Sequence, residues 1–100
     1  MTVRFLDAAA LEVDEAVAYY NSKHDGLGRD FATAVAAVLG RIEARPMAWL
    51  KVSSRLRRCR LSRFPYGVLY APLPGEIIVV AVMHDRRAPM YWRDRLQELP

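Results

Sequence analysis

Apolar residues recur with two different periods along this chain, and the change falls near Pro46. At the start, Val3 and Phe5 alternate with polar neighbours between Thr2 and Leu6, which predicts a short strand at a sheet edge. Residues 8 to 21 are mostly Ala, Leu, Glu, Asp and Val without Gly or Pro, a first helix whose free N–H groups Asp7 is placed to cap. Glu12, Asp14 and Glu15 lie in its early half, where the helix dipole favours negative charge. Gly26 and Gly28 around Leu27 break the pattern. Phe31, Val35, Val38 and Ile42 then recur at spacings of four, three and four, the signature of an amphipathic second helix. Arg41 and Arg45 suit its C-terminal dipole, and Pro46 ends it. The two helices form an antiparallel hairpin.

After a connector holding Trp49 the period shortens. Residues 56 to 62 read as a strand with Cys59 and Leu61 on one face and Arg58 and Arg60 on the other. Residues 66 to 73 make a second strand, Pro74-Gly75 turns the chain, and residues 77 to 83 are an almost unbroken apolar strand that belongs inside the sheet. A short helix over residues 91 to 99 closes the domain. The expected fold is α+β: an N-terminal strand, a two-helix hairpin packed on an antiparallel meander, and a C-terminal helix, all in one domain over residues 1–100.

One hundred residues, 53% apolar and 26% charged, suit one compact core. No apolar run reaches the roughly 20 residues of a membrane span, and MTVRFLD lacks the layout of a signal peptide, so a cytoplasmic protein without membrane contact is expected. Cys59 is the single cysteine, which excludes an internal disulfide and a zinc knuckle. No Walker loop, dinucleotide fingerprint or metal-ligand spacing occurs, so neither cofactor nor metal is expected.

Charge changes the picture more. Residues 1–50 carry five Lys/Arg against seven Asp/Glu, whereas residues 51–100 carry ten against four, and thirteen of the fifteen cations are Arg. Lys51, Arg55, Arg57, Arg58, Arg60 and Arg63 fall in one stretch free of acids. Guanidinium forks grip phosphate or carboxylate in a bidentate way. The densest polar and aromatic cluster follows the last strand: His84, Asp85, Arg86, Arg87, Tyr91, Trp92 and Arg93. In a meander, Arg58 and Arg60 can share a sheet surface with Arg87, and such a surface can hold an anionic backbone and stack bases. Two readings stand here. Either Arg58, Arg60, Arg63, His84, Arg86, Arg87, Trp92 and Arg93 bind an anion or target, or the arginines pair with Asp85 and Asp94 while Trp92 covers the core. Ribonuclease chemistry wants an acid and a base flanking the phosphate, and His84 with several Arg supplies one such group at most. His84 reads first as a structural residue that Asp85 orients, and Cys59 as a small core residue.

The order of elements and several local motifs resemble the RelE/ParE toxin superfamily of bacterial toxin–antitoxin modules. The matching pieces are Ala16-Val17-Ala18-Tyr19-Tyr20, Gly26-Leu27-Gly28 with Phe31, residues 42 to 46, Arg63-Phe64-Pro65-Tyr66 with Tyr70, and residues 77 to 84 running into Arg87, Pro89, Trp92 and Arg93. The resemblance is to the plasmid-stabilisation, ParE-like branch in particular. It implies a growth-arresting toxin held inactive in a hetero-oligomer by a cognate antitoxin. ParE-like members poison DNA gyrase without being enzymes, and RelE-like members cleave mRNA on the ribosome. Setting Tyr70 against its counterpart places Arg58, Arg60 and Arg87 at basic positions of the nuclease site, with Tyr91 and His84 as substitutes for its acid/base group. Gly67 stands where that branch has an arginine, and Arg93 where it has a tyrosine. The gyrase-directed reading therefore leads, ribosome-dependent mRNA cleavage is its alternative, and a non-toxic nucleic-acid-binding accessory domain is a third. A basic sheet face and an exposed apolar groove between the helices would suit a partly disordered acidic-apolar antitoxin.

Overall fold

The computed structural model describes residues 1–100. The chain runs β1 (Thr2–Phe5), α1 (Asp7–Lys23), α2 (Leu27–Ala44), β2 (Leu50–Lys51), β3 (Arg57–Arg60), β4 (Tyr66–Leu73), β5 (Glu76–His84) and a 3₁₀ helix (Arg93–Glu98). The five strands form one sheet in the order β1-β5-β4-β3-β2. β2 to β5 make an antiparallel meander, and β1 joins β5 in parallel at the edge.

The sheet separates two apolar layers. On one side Ala9, Ala16, Phe31, Val35, Val38 and Ile42 of the hairpin pack on Cys59, Val68, Tyr70, Ile77, Val79 and Val82. On the other, Leu6, Leu56 and Trp92, with Leu96 and Leu99, cover Leu69, Ala71, Ile78, Val80, Ala81 and Met83. Both faces of β5 are thus removed from water, which is why its sequence does not alternate. Its pairing with β4 jumps from Leu69–Ala81 to Tyr70–Val79. The extra residue turns Val80 and Ala81 toward the same layer and re-phases Val82 to the helices.

Several boundaries differ from the sequence reading for physical reasons. Asp7 does not cap α1: it is the first helical residue, while Leu6 holds the cap position and its side chain is buried beneath the sheet. Because the Leu6 N–H donates to Val79 as the last rung of β1, the helix must begin at once. α1 runs to Lys23, two residues further than the sequence suggested. Gly26 alone breaks the chain, in the left-handed conformation at φ 84°. Gly28 already lies inside α2, where a Cβ would sit 2.5 Å from the Val17 carbonyl oxygen. Its N–H donates to Asn21 Oδ1 at 2.8 Å, so this glycine draws the hairpin together. The connector with Trp49 hides the two-residue strand β2, and β3 stops at Arg60. The C-terminal segment is a 3₁₀ helix beginning at Arg93, preceded by tight turns around Met90 at φ 66°.

Candidate functional site

β4 lies between β3 and β5, with Arg60 opposite Gly67 and Tyr66 opposite His84. Arg58 and Arg60 point away from the helices and converge on Asp85, the first residue after β5. Arg58 Nη2 donates to one carboxylate oxygen, and Arg60 Nη2 donates to the other at 2.5 Å. Gly67 makes this possible: a Cβ there would lie 2.4 Å from Arg58 Nε. That Nε is buried and has no hydrogen-bond partner. Asp85 therefore holds the two arginines and does not orient His84. Its own N–H donates to Pro65 at 2.8 Å, which fixes it at the strand end.

The other candidates divide between two sides of the sheet. Arg87 lines a cleft of about 240 Å³ with Arg58, Asp85, Met90 and Trp92. It also borders a second cleft, of about 230 Å³, between α1 and the end of β5, with Glu12, Tyr19, Tyr66 and His84. His84 packs edge-on against Tyr66, and its Nδ1 accepts the Arg86 backbone N–H at 3.0 Å. Arg86 and Arg93 are exposed, while Trp92 is buried in the second layer and presents no face for stacking a base. Arg63 is drawn to Asp30 of α2 at 3.7 Å, away from Arg58 and Arg60. Tyr91 lies beneath two guanidiniums, those of Arg87 and Arg95, each 4.9 Å from its ring centre. Hydrogen bonding to the Glu12 carboxylate, ahead of burial, pushes its hydroxyl above the usual phenol range.

The profile of a family described as "ParE toxin of type II toxin-antitoxin system, parDE" matches residues 3–89. The chain belongs to the ParE toxin family. Among solved structures it is similar to one described as the chromosomal ParDE toxin–antitoxin system from P. aeruginosa, with 14% identity, a TM-score of 0.62, and coverage of 84% of this chain and 95% of that one. No curated protein matches the sequence. No helix of this ParE-family chain is long and apolar enough to cross a membrane.

Three further features of the ParE-family site escaped the sequence reading. Glu12 and Arg95 form an ion pair at 2.8 and 2.9 Å, with side chains only 10% and 14% exposed. Together they finish the edge of β5 beyond β1: Glu12 accepts the Val82 N–H at 3.0 Å and Arg95 donates to the Val80 carbonyl at 3.0 Å. The pair ties α1, β5 and the 3₁₀ helix. The signal for Glu12 lay in its spacing, three residues after Ala9 and four before Ala16, both core positions. Tyr70, used above only to align strands, donates its hydroxyl to the Pro46 carbonyl at 2.5 Å. Burial pushes its pKa up to about 12, and burial likewise raises the Cys59 thiol. Gly28 brings α1 and α2 close together, and the clefts lie between α1 and the end of β5, along the β3–β5 side of the sheet, and at the turn after α2.

Proposed function

We propose that this ParE-family chain is a growth-inhibiting toxin that acts by binding, with DNA gyrase as its target, and that a cognate antitoxin neutralises it in a hetero-oligomer. Family membership over residues 3–89 carries the toxin part. The binding part is supported by the state of the residues that the nuclease alternative would need. Asp85 already engages both Arg58 and Arg60, Gly67 supplies no third cation, and Tyr91 is covered by Arg87 and Arg95. A half-buried phenol with its proton held by Glu12 is a poor donor or acceptor of protons in an exposed strand of RNA. The exposed Arg86, Arg87 and Arg93 remain available for a large partner. An antitoxin with acidic and apolar residues would suit the basic second half of the chain.

The ribosome-dependent nuclease remains the second reading because Arg58 and Arg87 line one cleft. Inducible expression in bacteria separates the two. The gyrase reading expects arrest with a DNA-damage response while translation continues, and purified protein in micromolar excess should change gyrase supercoiling or cleavage-complex levels. Arrest with immediate loss of translation and A-site cleavage products on programmed ribosomes would establish the nuclease. Normal growth without any antitoxin would leave the accessory nucleic-acid-binding domain. Co-expression with the cognate antitoxin should restore growth.

A further inference from the structure

The connector between α2 and β3 carries a patch that the fold itself does not use. Of the seven large apolar residues left exposed, three lie here within six positions: Met47 at 63%, Leu50 at 69% and Val52 at 36%. Arg45, Lys51 and Arg55 stand among them, all exposed and none paired with a carboxylate. No Asp or Glu occurs between Glu43 and Glu76. Met47, Lys51 and Arg55 line one open cleft of about 240 Å³ beside Leu73, and Arg45 meets Met47 at the turn after α2. We propose that this rim of the sheet rests on the surface of an anionic membrane, with Met47 and Leu50 entering the acyl boundary and Arg45, Lys51 and Arg55 meeting the headgroups.

Other occupants fit the patch less well. A second copy pairing antiparallel through β2 about Lys51 would set that lysine against its own counterpart, and like charges directly opposite repel. An added strand from another protein would find a two-residue edge carrying a lysine, the form in which sheets resist strand addition. A nucleic-acid backbone accounts for the cations and leaves the exposed Met47 and Leu50 without a role. Lipid accounts for both, because projecting apolar side chains are taken up where headgroups give way to acyl chains, and each nearby Lys or Arg is drawn to anionic headgroups. The expectation of a chain without membrane contact came from the lack of a spanning segment, and a surface contact needs none. Such contact is reversible, since a few apolar side chains anchor far less than a spanning helix. The inference is independent of the choice of cellular target, and it can fail while the gyrase reading holds.

The test is co-sedimentation of the full chain with vesicles of phosphatidylglycerol and phosphatidylcholine in equal parts, set against vesicles of phosphatidylcholine alone. The wild type should bind the mixed vesicles at least about tenfold more tightly. Lys51→Gln should weaken that binding about fivefold, and Met47→Ser with Leu50→Ser, which leaves the charge unchanged, at least about tenfold. Arg29→Gln removes an equal charge near the far end of α2, more than a Debye length from the patch, and should change binding less than about twofold. All of these positions are exposed, so the variants keep the fold. Trp49, half-buried between Met47 and Leu50 in the chain, reports depth: lipid brominated in its acyl chains should quench it, while Trp92 stays buried in the second layer. Equal losses from Lys51→Gln and Arg29→Gln, with none from the serine pair, would show adsorption by net charge and overturn the inference. So would a wild-type chain that ignores the mixed vesicles; its binding a peptide of alternating valine and glutamate instead would assign the patch to a protein strand.

Discussion

Removing Glu12 tests whether the C-terminal segment is held by a buried ion pair or merely lies on the sheet. The carboxylate accepts from Val82 N at 3.0 Å and from both terminal nitrogens of Arg95 at 2.8 and 2.9 Å, and both side chains are largely out of water. Glu12→Leu strands the Val82 N–H and leaves Arg95 with only the Val80 carbonyl, so it should destabilise the fold by about 3–5 kcal/mol. Arg95→Met leaves a buried carboxylate without its counter-charge, with only the Val82 N–H and the Tyr91 hydroxyl as donors, and should cost a similar amount. The double variant replaces the pair with apolar groups and keeps only the unpaired backbone groups. Its loss should therefore be about 1–3 kcal/mol, far below the sum of the singles. A domain this size shifts its midpoint by about 4–8 °C per kcal/mol, so each single variant should melt at least about 12 °C lower. Urea unfolding with thermal melts as a check supplies the cycle. Additive losses below about 1 kcal/mol each would refute the reasoning, since the pair would then behave like a solvent-exposed one.

Two other substitutions probe the frame of the site. Gly28→Ala places a Cβ 2.5 Å from a backbone oxygen of α1, which no side-chain rotation relieves, so the hairpin must open at a cost of about 1–3 kcal/mol, read by urea unfolding. Tyr70 has its pKa raised from 10.0 to about 12 by burial, so the folded state keeps a proton that the unfolded chain loses. Its contribution is complete below pH 10 and disappears as pH rises toward 12, about 2–3 kcal/mol in all. Tyr70→Phe should flatten that alkaline decline in stability and remove a phenol that titrates near pH 12 by ultraviolet absorbance. It should also lower stability at neutral pH by about 1 kcal/mol through loss of the bond to Pro46.

The second helix was legible because Phe31, Val35, Val38 and Ile42 follow one face without interruption, and burial confirms each of them. The meander was legible because Pro74-Gly75 separates two apolar runs. β2 was not, since two residues carry no period and its pairing is supplied by β3. Asp7 looked like a cap because local sequence does not reveal that Leu6 is pinned to Val79. In the site, adjacency of Arg58, Arg60 and the end of β5 followed from the meander. The partner of those arginines did not: Asp85 is 27 and 25 residues away, and its reach depends on the register of two strand pairings. Glu12 was the opposite case, a carboxylate at a core spacing whose meaning required Arg95, 83 residues later.

The parallel contact between β1 and β5 also orders events during synthesis. Thr2 pairs with Glu76 and Phe5 with Val79, so the first strand made has no partner until nearly four-fifths of the chain exists. The hairpin of α1 and α2 can close as soon as it leaves the ribosome, because its contacts are local. The N-terminal strand must wait beside it, and the layer under Trp92 waits longer still. A nascent copy therefore presents helices first, and the surface carrying Arg58, Arg60 and Arg87 takes shape only at the end of translation.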